Sequence, residues 1–130
     1  MKTHLNCFDK TLLSFEIGCT GQRMIYSGIL YLSGEPDAGR LREAILSTAR
    51  AHPELMTTLS GGPFRHHRQV HEEVVGEVLE VQDLATLQTQ QGSTSLDIDA
   101  LYEQRIHEWI NRPLDVRKSF PFRILLLKKK

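Results

Sequence analysis

Cysteine is scarce in this chain: Cys7 and Cys19 are the only two. That is too few for a disulfide framework, and their spacing is not that of a metal knuckle. Both read as free thiols packed as small hydrophobes in a reducing compartment, with no histidine spaced to activate either as a nucleophile. Net charge is missing as well. Sixteen Lys and Arg cancel sixteen Asp and Glu, so no global field recruits nucleic acid or an anionic membrane. No apolar run approaches a membrane span, and residues 1–6 lack the core of a signal peptide, which makes the cytoplasm the default expectation. Also absent are a Gly-rich phosphate loop, a Gly-x-Ser-x-Gly elbow, a zinc-finger spacing and internal repeats. What remains is ordinary for a soluble globular chain: 130 residues, 40% hydrophobic and 25% charged, long enough to bury a core.

The chain is organised around residues 28–59. Before Ser33, Met24, Ile25, Tyr26, Ile29, Leu30, Tyr31 and Leu32 form a run rich in β-branched and aromatic types. Apolar residues on both pleat faces predict a strand over 24–32 that is covered on both sides. Ser33, Gly34, Glu35, Pro36 and Asp37 break it. From Leu41 the spacing becomes helical, through Ala44, Ile45, Thr48, Ala49 and His52, with Arg42 on the opposite face. Asp37 is the candidate cap, and Pro53 stops the helix. A short strand over 54–59 and a turn over 60–63 follow.

Residues 64–69 are the most basic patch. Val70, Val74 and Val78 then share one pleat face and Val75, Leu79 and Val81 the other, interrupted by Gly76, where a bulge is expected. Glu72, Glu73, Glu77 and Glu80 keep this ribbon wet, as suits an edge strand. Residues 83–95 are polar and turn-rich and read as a mobile loop. A second helix over 97–111 carries Ile98, Leu101, Tyr102, Ile106, Trp109 and Ile110 on one face, with Arg105 snorkelling and Asp97 or Asp99 as cap. Trp109 and Tyr102 at this spacing are core residues before they are a binding platform. A hydrophobic strand over 122–127 ends in three lysines, an odd natural terminus because its edge partner has nowhere to come from. The expected fold class is α+β, a mixed sheet with helices near 38–52 and 97–111 packed on one face.

Two passages carry a resemblance. The first is the hydrophobic strand, Gly34, a short acidic turn, Leu41, Ala44-Ile45, then Ala51-His52-Pro53-Glu54-Leu55-Met56-Thr57. The second is Asn111-Arg112-Pro113-Leu114-Asp115 followed by Phe120-Pro121-Phe122-Arg123-Ile124-Leu125-Leu126. Together they resemble the N-terminal lobe of a condensation-type domain of the chloramphenicol-acetyltransferase-like acyltransferase superfamily. Met56 stands where that family usually has Arg. The resemblance implies an enzyme that moves an acyl group from a coenzyme A or carrier-protein thioester to an alcohol, amine or thiol. It also implies a His-His-x-x-x-Asp-Gly loop beyond the next strand, whose second His is the general base. Residues 1–130 would then be a single lobe ending before that motif. Its partner would be the rest of the domain, and its truncated sheet edge would favour self-association.

His66-His67-Arg68-Gln69-Val70-His71-Glu72 begins like the motif, but His71 and Glu72 occupy the Asp and Gly positions, and it precedes the second helix. It reads as coincidence, so no catalytic residue is assigned to this chain and none to a metal. His67 and His71, four apart, with Glu72 suggest zinc only if they lie on a helix, whereas their neighbours favour a turn and strand. Arg65 and Arg68 with the histidines suit an anionic coenzyme A or carrier phosphate, but a solvated basic loop is the plainer reading; cofactor-binding residues stay unassigned. The acyl thioester is a co-substrate of the parent, not a tightly held cofactor. The alternative function is a stand-alone, non-catalytic α+β interaction module.

Overall fold

The computed structural model describes residues 2–4, 26–61, 65–90 and 97–129. In order these form β1 (Lys2–His4), α1 (Ala38–Ala51), a 3-10 turn (Pro53–Leu55), β2 (Thr57–Ser60), β3 (His67–Val70), β4 (Leu79–Asp83), α2 (Leu84–Gln90), α3 (Ile98–Asn111) and β5 (Ile124–Lys128). The class is α+β, but among the described residues the strands form two small sheets rather than one mixed sheet. Strands β1, β3 and β2 form an antiparallel sheet in that order, while β4 and β5 form a separate parallel pair. Parallel strands need a long crossover, and α2 and α3 supply it.

Both main helices fall where the apolar period puts them. Asp37 caps α1, its Oδ1 accepting from the Arg40 amide at 2.9 Å. At the other end the His52 amide donates to the Thr48 and Ala49 carbonyls, and Pro53 opens the 3-10 turn. The buried face of α1 is rotated from the expected one. Ala49 is fully buried and Ile45 and Leu46 pack beside it, whereas Ala44, Thr48 and His52 are exposed. Arg42, expected on an idle face, reaches β4 and donates through Nη2 to the Leu79 carbonyl at 3.1 Å.

The core joins distant parts of the chain. Ala49 of α1, Met56 before β2, Val78 before β4 and Phe120 before β5 form one cluster, flanked by Leu55, Val75 and Phe122. Phe120 is 1% exposed and its ring lies 6.3 Å from those of Phe122 and His71. Burying such a side chain stabilises by about 1.5–3 kcal/mol relative to leaving it in water. Leu79, Leu84 and Leu101 are buried as well, at the starts of β4 and α2 and within α3.

Three expected elements differ. The ribbon over 70–81 is broken: β3 ends at Val70 and β4 starts at Leu79, and between them Gly76 takes a φ of 74° and turns the chain. The valine alternation reflects one-sided packing of irregular chain, with Val75 and Val78 inward and Val74 outward. The polar stretch after Asp83 is not loop throughout, since α2 occupies 84–90. Asp83 caps it, Oδ1 accepting from the Ala85 and Thr86 amides at 2.9 and 3.3 Å. The third difference is residues 26–32, which form no strand and lie exposed, with Tyr26 86%, Leu30 88% and Tyr31 81% accessible. A strand needs a ladder partner, and among the described residues none pairs with this segment. Met24, Ile25, Cys7, Cys19 and the rest of the loop at 91–96 lie outside the described residues.

Candidate functional site

An apolar groove of about 2160 Å³ is bounded by residues 26–36 on one side and by α3 and β5 on the other. Leu101 is the buried anchor of α3, with Ile98, Tyr102, Arg105, Ile106 and Trp109 half-buried around it. The helix begins at Asp97, whose Oδ1 accepts from the Asp99 amide at 3.1 Å. It runs antiparallel to β5: Asp99 near its start meets Lys129 Nζ at 2.5 Å, and Trp109 near its end meets Arg123. These contacts fix the floor of the groove.

One end of the floor is held by cations. Arg123 donates through Nη2 to the Trp109 carbonyl at 2.7 Å and to the Arg112 carbonyl, and through Nη1 to the Pro113 carbonyl at 2.9 Å. Carbonyls at a helix end lack intrahelical partners, so this guanidinium closes α3 and pins it to the foot of β5. The Trp109 ring lies 4.2 Å from the Arg112 guanidinium and 4.7 Å from that of Arg123. Arg112 Nη2 continues to Glu80 Oε2 at 2.7 Å, joining α3 to β4. Burial presses that carboxyl upward, but hydrogen bonds from Arg112 and Gln82 and the nearby Arg112 and Arg123 charges outweigh it and hold the group below its ordinary range.

The other end is tied to residues 26–36. Lys128 Nζ lies 3.6 Å from Glu35 Oε1. Tyr31 and Tyr102 both line the groove, and the interaction with the Tyr31 hydroxyl, with lesser help from burial and the Glu103 charge, pushes the Tyr102 phenol up to about 12. Neither tie was visible in the sequence. A tyrosine in a hydrophobic run and a glutamate in a turn carry no signal of partners so far along the chain.

The histidines lie elsewhere. His66, His67 and His71 do not line the groove. His67 opens β3, opposite His4 and Ser60. His71 sits just past that strand, its Nε2 2.7 Å from Thr58 Oγ1 and its amide bonded to the Met56 carbonyl. Both His66 ring nitrogens and His67 Nε2 are buried without a hydrogen-bond partner. The zinc reading required a helix through His67 and His71; β3 occupies that place. Among the described residues no group of three His, Cys, Asp or Glu is placed to hold a metal. Glu72 and Arg65 are exposed, and Glu72 does not join His67 and His71 in a metal-binding group.

No described helix is long and apolar enough to cross a membrane. No protein-family model, no curated protein and no solved structure matches the chain.

Proposed function

We propose that this chain is the N-terminal portion of a domain that moves an acyl group from a coenzyme A or carrier-protein thioester to an alcohol, amine or thiol. The observation that supports this reading is the use of Arg123. In the passage resembling the acyltransferase superfamily, its guanidinium binds three backbone carbonyls and holds the Pro113 turn at the foot of β5. The passage therefore acts as framework, the role expected of a segment that leads into a strand supporting a catalytic loop. The chemistry belongs to that loop: its second histidine takes the acceptor's proton as the acceptor attacks the thioester carbonyl and the thiol departs. His66 and His67 are not given that role, because His71 and Glu72 stand where the motif needs Asp and Gly and the pair precedes α3.

The test is free-thiol release from acyl thioesters mixed with alcohols and amines. The expected outcome is no turnover above the buffer rate from this chain, and turnover from a longer product of the same reading frame carrying His-His-x-x-x-Asp-Gly. Turnover by this chain alone, abolished by His67→Ala, would make the misplaced pair the working site and overturn the proposal. A second reading, a non-catalytic interaction module, draws on the exposure of Tyr26, Leu30 and Tyr31. It gains if the longer product lacks the motif and is inert.

A further inference from the structure

The parallel pair β4 and β5 is an incomplete sheet by its own physics. Parallel strands are ordinarily buried on both faces, and two strands alone are marginal. Every residue of β5 is only half-buried, although the strand reads Ile-Leu-Leu-Leu-Lys. Among the described residues its one ladder partner is β4, which leaves its other edge open. Beside it, Tyr26, Leu30, Tyr31 and Leu32 stand exposed in a run whose composition suits a strand. An unpaired ladder edge and an unpaired strand-forming segment thus border one apolar groove.

The size of that groove decides what fits it. At about 2160 Å³ it exceeds the roughly 300–1,000 Å³ of small-molecule sites. At roughly 3.3 Å per residue, residues 26–32 are long enough to run the length of β5. The ties fix their direction. Glu35 meets Lys128, and Tyr31 meets Tyr102, one helical turn from the Asp99 that binds Lys129. Both hold the C-terminal end of the segment against the C-terminal end of β5. A chain anchored there and extended back along β5 runs in the same direction as that strand.

We propose that residues 26–32 are a strap that closes onto the open edge of β5 as a parallel third strand, filling the apolar groove above α3. Glu35–Lys128 and Tyr31–Tyr102 are the hinge-side tethers, and Gly34, at a φ of 89°, supplies the turn between strap and α1. Closure removes from water the aromatic and aliphatic side chains that the open arrangement exposes, and gives the outer edge of β5 its missing ladder. The inference does not depend on the acyl-transfer reading.

Amide hydrogen exchange on the full chain tests it. Alternate amides within 28–32 and along β5 are expected to exchange at least about tenfold more slowly than in an unstructured peptide. Leu30→Pro with Tyr31→Pro should abolish that protection, because one of two successive amides must enter any ladder. Peptide-like exchange across 26–32 in the wild type overturns the proposal. In a Cys7→Ser, Cys19→Ser background, Leu30→Cys is also paired in turn with Leu125→Cys, Leu126→Cys and Leu127→Cys. A disulfide in the monomer from at least one pair is expected. Disulfides found only in dimers would assign the β5 edge to a second copy, and none in any pair would remove the strap; either result overturns it.

Discussion

Arg112 Nη2 and Glu80 Oε2 lie 2.7 Å apart, linking the C-terminal cap of α3 to β4 across 32 residues of sequence. Glu80 is the one carboxylate among the described residues whose pKa is clearly lowered, and a lowered acid stabilises the fold only while it is ionised. The stabilisation is therefore complete above the ordinary glutamate value of 4.5 and is lost as pH falls through the lower folded value. Glu80→Gln should lower the urea midpoint near neutral pH, and the gap from wild type should narrow progressively as pH falls below 4.5. A gap that stays constant as pH falls below 4.5 would show that the pair does not act through charge.

Packing and surface contacts separate in a second comparison. Phe120→Ala removes the largest fully buried side chain and should cost about 3–5 kcal/mol. Ile45→Ala, on the half-buried face of α1, should cost less, about 2 kcal/mol. Arg42→Ala should cost about 1 kcal/mol, because it frees the Leu79 carbonyl of a donor. Urea unfolding of the three variants checks the order, and an Arg42 variant indistinguishable from wild type would show that the bond contributes nothing.

How legible these features were depends on how local their causes are. The helices α1 and α3 were readable because Leu41, Ile45 and Ala49, or Leu101 and Trp109, repeat within a few turns and aspartates stand at both starts. The short α2 was missed although Asp83 is a cap and Leu84 and Leu87 are three apart; the glutamines after them suggested loop. Separation into two sheets was not readable, because strand pairing depends on partners far away in sequence. The groove was hidden for the same reason. Its ties, Glu35 to Lys128 and Tyr31 to Tyr102, join residues whose own neighbours give no hint of the other.

Gly76 tests the break between β3 and β4. Its φ of 74° lies in the left-handed region, and an added Cβ would sit 3.2 Å from that of Ser119. Gly76→Ala should cost about 1–2 kcal/mol, the usual penalty for a side chain in that conformation. Gly28 has open space around it and no positive φ, so Gly28→Ala should stay within about 0.5 kcal/mol. Equal urea midpoints for the two variants would mean that the turn at Gly76 is not held in the folded protein.

Tyr102 offers a readout of the strap's tether in the intact chain. Its interaction with the Tyr31 hydroxyl favours the neutral phenol and pushes ionisation from 10.0 up to about 12. Because the folded value is raised, the stabilisation is fully present below 10.0 and disappears as pH climbs through about 12. Ultraviolet titration of the chain's three tyrosines should therefore show one phenol ionising late. Tyr31→Phe keeps the ring and removes only the hydroxyl, so it should bring that late step back toward 10.0. The urea-midpoint gap between wild type and Tyr31→Phe should be constant near neutral pH and narrow as pH rises above 10.0. A late step that survives Tyr31→Phe unchanged would mean that Tyr102 is held by something other than residue 31, and the tether would have to be sought at Glu35 and Lys128 alone.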